Sequence, residues 1–443
     1  MRIFAEKSQK RRIMIIEFTV GNFRSFHEKK TISFEASRGV SELKGNYFTF
    51  QKQSLLRSIV IYGANSSGKS NLVKAFSEMR FCVLISVKLN DNDPLSFNPF
   101  LLAEDSVFNP TYFEVIFISE MRTFRYGFEY HLKGIINEWL FEIKRTKEIA
   151  LFIRTKEGIG VSDNFAEGKG KEGATNDNRL FISLVAQLGG DISKKILKWF
   201  SDFSVLSGFD NNFSRSLVFE IDYKQLSLEM LNEKSNGYIA ALNLFKDLKL
   251  GFTDIEIIES DDKNLNKFLS LLNAKPDMIE AAKKKKRLYL NTVHHKYDKN
   301  GEIIDIISWD SDRFESEGTK KVIAFSWPIF NALLHGKILI IDELDTKLHP
   351  LITMHIIELF NNPETNPNNA QLLFTTHDTN LLSTDIFRRD QIWFAEKDSV
   401  EQTDLYSLDD FVFADGTKVR KDANLEKNYI AGRYGAIPYI TNC

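Results

Sequence analysis

Residues 58–76 read Ser-Ile-Val-Ile-Tyr-Gly-Ala-Asn-Ser-Ser-Gly-Lys-Ser-Asn-Leu-Val-Lys-Ala-Phe, and the fold follows from how that stretch divides. Residues 58–62 are a short apolar, β-branched run that stops at Gly63, as a buried strand does. From Lys69 to about Val87 the apolar residues Leu72, Val73, Phe76, Met79 and Val83 recur at helical spacing. Between strand and helix, residues 63–70 fit the pattern Gly-x-x-x-x-Gly-Lys-Ser. Glycines there let backbone N–H groups turn inward around phosphate oxygens. The helix start aims its positive dipole end at the same anions. Lys69 is expected to reach the β and γ phosphates, and the Ser70 hydroxyl to meet Mg2+. The rival reading, a glycine turn with a chance lysine, leaves the strand before it and the helix after it unexplained. The expected ATP-binding set is Gly63, Ala64, Asn65, Ser66, Ser67, Gly68, Lys69, Ser70 and Asn71, with ATP and Mg2+ as ligands.

Two further segments carry chemistry. Residues 337–343 read Lys-Ile-Leu-Ile-Ile-Asp-Glu, four aliphatic residues followed by two carboxylates. Such a strand is buried on both faces and delivers its acids to the carboxyl edge, where ligands bind in open α/β sheets. Asp342 is expected to hold Mg2+ through water, and Glu343 to act as general base on the attacking water. An apolar strand ending in Asp-Glu is common by itself; it gains meaning as the partner of a phosphate loop. Residues 372–378, Leu-Leu-Phe-Thr-Thr-His-Asp, form another short strand ending at the same edge. A lone histidine is usually structural, but His377 stands where it could contact a γ phosphate.

The rest of the chain frames these elements. The 443 residues allow two or three domains, and a net charge of −2 creates no field that would steer the whole protein to nucleic acid or membrane. Phe is abundant, at 37 residues, which predicts an aromatic core. The two cysteines, Cys82 and Cys443, make neither a disulfide framework nor a metal spacing and fit a reducing cytoplasm. No apolar run is long enough for a membrane span. Residues 1–12 are basic and make a poor signal peptide; with Met14 just before the first strand, residues 1–13 read either as a disordered arm or as an upstream start that the fold does not need. Strands are expected over 13–20 and 31–36, a hairpin over 112–118 and 123–130, and further strands over 135–144 and 148–154. Residues 157–178, rich in Gly, Lys, Asn and Glu, read as a mobile loop. From 179 to 285 the pattern is mostly helical, at 180–185, 192–203, 225–231, 239–248 and 265–272. The basic run at 283–287 precedes strand-like residues 287–293 and 302–307. It is a candidate for contact with a nucleic-acid backbone, against the blander alternative of a solvated helix face. No internal repeat or sustained heptad is present. The domain reading is an arm over 1–13, then the first part of an ATPase domain over 14–155. A mainly helical insertion with its mobile loop fills 156–300, and the ATPase domain closes over 301–443.

The three motifs, in this order, resemble the ABC-type ATPases of the SMC–RecF–Rad50 class. Residues 22–26, Asn-Phe-Arg-Ser-Phe, resemble that class's amino-terminal segment, which implies that Arg24 lies near nucleotide. Residues 315–321, Glu-Ser-Glu-Gly-Thr-Lys-Lys, resemble its signature loop, although Glu315 replaces the usual Leu and Glu317 the first Gly, leaving Ser316 and Gly318 in agreement. Asp345 stands where the D-loop follows the acidic pair, and 347–350, Lys-Leu-His-Pro, complete that segment. Residues 388–397 look like the strand after the histidine. The tail over 420–438 resembles a bacterial subgroup that includes RloA and AbiLi, commonly encoded beside an RloB-like or TOPRIM nuclease partner and associated with anti-phage defence.

The resemblance implies an α/β fold: an ABC-type P-loop core with an antiparallel β subdomain and a mainly helical insertion. It implies a homodimer or higher oligomer in which Lys69, Ser70, Asp342, Glu343 and His377 act in cis. Ser316 and Gly318 would then act in trans, with Asp345 coupling the two sites. It further implies an ATPase in the cytoplasm, off the membrane, that controls an effector protein encoded nearby. Two other readings stay open: a RecF-like DNA repair ATPase that binds DNA directly, and an ATP-binding scaffold with little turnover. A transporter ATPase fits less well, given the Arg24 segment, the insertion and the tail.

Overall fold

The computed structural model describes residues 13–208, 223–261 and 286–438. They divide into two units. The first holds the described residues up to Gly208 together with 335–346 and those from Thr353 onward; the second holds 223–334 with 347–352.

The first unit contains two large sheets. Strand β1 (Ile13–Gly21) pairs with β2 (Lys30–Ser33) and with β6 (Thr111–Ser119). Beyond β6 follow β7 (Arg122–His131), β8 (Gly134–Lys144), β9 (Lys147–Thr155) and β10 (Gly158–Val161), all antiparallel. A small hairpin, β3 (Tyr47–Phe50) and β4 (Gln53–Leu56), stands apart. The second sheet is parallel except at one edge. Its order is β11 (Ser204–Ser207), β15 (Ile338–Asp342), β16 (Gln371–Thr375), β5 (Ser58–Tyr62), β17 (Ile392–Lys397) and β18 (Thr403–Ser407). All five residues of β5 and of β16 are buried, as expected of central strands covered on both faces.

Helix α1 (Lys69–Ile85) supplies the core common to both sheets. Its Leu72, Val73, Phe76, Met79 and Val83 join Phe18 and Val20 of β1 and Ile59 and Ile61 of β5 in one apolar cluster. Phe76 stacks on Phe18 at 3.8 Å between ring centroids. Gln371, buried at the start of β16, ties the sheets polarly as well. Its Oε1 accepts from the Ile15 N–H at 2.8 Å, while its Nε2 donates to the carbonyls of Ile15 and Leu56.

Residues 157–178 do not form the mobile loop their composition suggests. They hold β10 and short 3-10 turns at Asp163–Gly168 and Glu172–Ala174. The cause is Phe165, fully buried between Phe152 and Phe181. Glu167 adds a second anchor by accepting from the N–H groups of Ile192 and Ser193 at the start of α3 (Asp191–Asp202), which follows α2 (Phe181–Gln187).

The second unit contains α4 (Tyr223–Asn232) and α5 (Tyr238–Asp247), then an antiparallel sheet of β12 (Asp254–Asp261), β13 (Lys286–Tyr297) and β14 (Ile303–Asp310). The long helix Glu317–His335 follows. The mostly helical reading of 179–285 missed β11 and β12. In β12 the acidic residues interrupt a short β-branched run. In β11 four residues become a strand only by pairing with β15. Of the expected arm over residues 1–13, Ile13 is instead the buried first residue of β1; residues 1–12, the helix at 265–272 and the lysines at 283–285 lie outside the described residues. Lys286 and Arg287 open β13. Among the described residues no helix is long and apolar enough to cross a membrane.

Candidate functional site

Strand β5 delivers the chain to Gly63 at the carboxyl edge of the parallel sheet. A Cβ there would lie against the Ala395 carbonyl and 2.6 Å from Ser67 Oγ, so the approach of β17 requires glycine. Gly68 has φ 110° and would drive a Cβ into the Thr403 side chain. Helix α1 starts at the next residue with no side-chain cap, and the N–H groups of a helix's first turn have no intrahelical partner.

Lys69 is 5% exposed and folds back over the loop, donating from Nζ to the carbonyls of Gly63 at 2.8 Å and Ala64 at 3.0 Å. Burial pushes its pKa down to about 8, against the pull of Asp342, Glu343 and Asp345. The ammonium is thus held in a low-dielectric position from which an arriving anion would draw it out.

The acidic pair does not sit on the strand next to β5. Strand β16 lies between β5 and β15. Because all three run parallel, their carboxyl ends still meet at one edge, and Thr375 at the end of β16 is the bridge. Its Oγ1 donates to Asp342 Oδ1 at 2.7 Å and accepts from the Glu343 N–H at 2.7 Å. Glu343 has φ 52°, unusual for a side chain of this size. Thr346 Oγ1 donates to its Oε2 at 3.2 Å. The backbone of Asp345 and its neighbours turns back toward β16, and Asp345 Oδ2 accepts from the His377 N–H at 3.4 Å. Burial lowers the pKa of His377, the nearby Lys69 lowers it further, and the three acids oppose both.

A cavity of about 490 Å3 opens at this edge, lined by residues 65–71, Glu343 and His377. Ser25 and Lys397 complete its walls. Both lie in segments that resemble the ATPase class, but nothing in their local sequence marks either residue as part of a cavity wall. Ser25 Oγ accepts from Asn71 Nδ2 at 2.9 Å and lies 2.8 Å from Thr403 Oγ1, which donates its one proton to the Ser67 carbonyl at 2.8 Å and so accepts from the Ser25 hydroxyl. That brace links three distant segments, and nothing in local sequence announces it. Arg24 is not in the wall. Its side chain is exposed, with the guanidinium 5.6 Å from the Phe23 ring centroid. Ser316 and Gly318 belong to the second unit. Ser316 Oγ accepts from the Thr319 N–H at 3.1 Å and so caps the helix Glu317–His335. A Cβ on Gly318 would lie 2.8 Å from the Lys347 carbonyl.

The tail has a packing role at this edge. Tyr429 stacks on Phe394 of β17 at 5.4 Å and lies 5.8 Å from Tyr62, the last residue of β5. Glu426 accepts from Thr379 Oγ1 at 3.1 Å, just past His377.

The residues suit a triphosphate with a divalent cation. Ser67 Oγ and Asp345 Oδ1 are buried and have no partner among the described residues. Asp342 spends one carboxylate oxygen, Oδ1, on Thr375. The Ser70 hydroxyl and the Asp342 carboxylate are hard oxygen donors of the kind Mg2+ takes alongside phosphate and water. Among the described residues no three His, Cys, Asp or Glu side chains gather as a metal cage.

Comparison with solved structures finds SMC head domains. The SMC head bound to the C-winged helix domain of ScpA is 12% identical with a TM-score of 0.40, covering 89% of this chain and 97% of that one. The SMC head domain of Thermotoga maritima is 10% identical with a TM-score of 0.37, covering 89% and 98%. No curated protein matches the chain. The family model described as "AAA domain, putative AbiEii toxin, Type IV TA system" matches residues 58–383, from the first residue of β5 to just past His377. That span is well over half of the 443 residues and contains the phosphate loop, the acidic pair and the histidine, and the chain belongs to this AAA-domain family.

Proposed function

We propose that this chain binds and hydrolyses ATP, and that a nucleotide-clamped dimer of it controls a partner effector in bacterial anti-phage defence. The observation that carries the enzymatic part is the meeting of Lys69, Glu343 and His377 around one cavity at the end of β5. The first-turn amides of α1 and the Lys69 ammonium grip the phosphates, displacing the contacts Lys69 makes with the loop carbonyls. Ser70 and Asp342 would hold the cation, which would supply charge neutralisation to the phosphates. Glu343, aimed by Thr375 and by its own positive φ, accepts a proton from the attacking water. His377, kept toward its neutral form, hydrogen-bonds the γ phosphate and reports its loss through Asp345. Ser316 and the amides at the start of the helix Glu317–His335 complete the site from a second copy.

The defence part rests on the tail's resemblance and on the family's description, which names a toxin of a type IV toxin–antitoxin system. The partner would be encoded nearby, and both would act in the cytoplasm.

The test uses K69A and E343Q with the wild type. Wild type should turn over ATP, K69A should fail to bind it, and E343Q should bind it, stall and accumulate as a dimer by light scattering. Normal hydrolysis by E343Q removes Glu343 from the mechanism. Binding without any wild-type turnover favours the scaffold reading instead. Infection assays with and without the neighbouring genes then test the defence role.

A further inference from the structure

The departure of the signature-like loop from its usual pattern has a counterpart in the second unit. Glu315, immediately before Ser316, buries its carboxylate so that the side chain is 10% exposed. Its Oε1 takes three hydrogen-bond partners from one sheet. Thr292 Oγ1 of β13 donates at 2.6 Å, Trp309 Nε1 of β14 donates at 3.2 Å, and His294 Nε2 of β13 lies at 3.1 Å. Thr292 is itself fully buried, and His294 stacks against Trp309 at 4.0 Å between centroids. Immediately after this anchor, Ser316 is fixed by Thr319, and Lys347 Nζ bonds Glu317 Oε2 at 3.2 Å. A leucine at position 315 could satisfy none of these polar groups.

We propose that Glu315 is a positioning residue for ATP turnover. It fastens the Ser316 loop to the three-stranded sheet, so the sheet sets where the Ser316 hydroxyl and the helix amides stand. This rests on the reading above, in which Ser316 acts on nucleotide held by another copy. The sheet thereby becomes the element through which a partner seated on the second unit would raise or lower hydrolysis.

The test compares E315A, E315Q, S316A and K69A in the full chain. Gln keeps an accepting carbonyl for Thr292 and Trp309; Ala keeps nothing. A loop displaced by about 1 Å costs up to about 10²-fold in rate. E315A should therefore lose at least about tenfold in kcat while its KM and ATP affinity, set by Lys69 in the first unit, stay near wild type. E315Q should recover most of the rate. T292V combined with E315A should cost no more than E315A alone. If S316A loses turnover while E315A keeps the wild-type kcat, or if E315Q is as damaged as E315A, the positioning role is wrong. If S316A and K69A both turn over like wild type, the underlying ATPase reading fails instead.

Discussion

Thr375→Val is the most searching single change at the candidate site, because it keeps shape and removes one hydroxyl. Thr375 is fully buried, so valine fills the same volume and leaves no cavity. Two hydrogen bonds of 2.7 Å disappear together, one to the charged Asp342 and one from the Glu343 N–H. A bond to a charged group contributes about 1.5–3 kcal/mol, and a stranded buried N–H costs about 1–3 kcal/mol. Both acidic residues are only partly buried, so water can take over some of each loss. The two losses together span about 2.5–6 kcal/mol, and with water taking over part of each the expected destabilisation is about 2–3 kcal/mol.

The catalytic effect should be larger than the stability effect suggests. Glu343 is held at a φ of 52°, a conformation that costs on the order of 1 kcal/mol and persists only while neighbours impose it. Without Thr375 the Glu343 backbone loses one of the contacts that impose this conformation, and the carboxylate's aim at the cavity loosens. A fall in kcat of about tenfold to a hundredfold is expected, with ATP affinity little changed. Urea unfolding with an unchanged m-value gives the first quantity, and single-turnover hydrolysis the second. T375S, which retains the hydroxyl, should restore both. Wild-type stability together with a wild-type rate for T375V would show that the bridge between β16 and the acidic pair has no energetic weight.

Other outcomes can be checked independently. Lys69→Met should stabilise the nucleotide-free protein at pH 7, by up to about 3 kcal/mol if the shift to about 8 is fully expressed. Between pH 8 and the ordinary lysine value of 10.5 the unfolded chain holds more protons than the folded one, so wild type gains stability with rising pH and the advantage of K69M should vanish. A difference between the two that stays constant over that range would contradict the burial cost. Phe165→Ala should destabilise by about 3–5 kcal/mol and expose residues 157–178 to protease, whereas a freely mobile loop would tolerate the change with no loss in unfolding midpoint.

How much could be read from the chain depends on how local each cause is. The strand, loop and helix at 58–85 were legible because glycine, lysine and apolar spacing act within one segment. The acidic pair and His377 were legible as strand ends, but not the order of the strands, since β16 enters between β5 and β15 from 371–375, far along the chain. Thr375 was visible inside its motif and silent about its role, which exists only once β15 and β16 pair. Ser25 meets Lys397 and Thr403, partners in the β17–β18 hairpin, from the other end of the chain, so no window of sequence brings all three together. Residues 157–178 misled because their polar majority conceals one aromatic residue, and one fully buried Phe165 is enough to order the segment.

The energetically adverse features gather in one place, and it is the place the sequence motifs mark. Lys69 is buried, Ser67 Oγ and Asp345 Oδ1 lack partners among the described residues, and Glu343 holds a positive φ. Each alone opposes folding, and all four lie around the carboxyl edge of β5, β16 and β15. Consistency across local and global preferences is what makes a sequence fold, and natural chains abandon it at functional sites. A triphosphate with its cation would relieve most of this cost, by giving Lys69 a counter-charge and Ser67 an acceptor. The same groups that weaken the empty site should then make ligand binding and protein stability rise together.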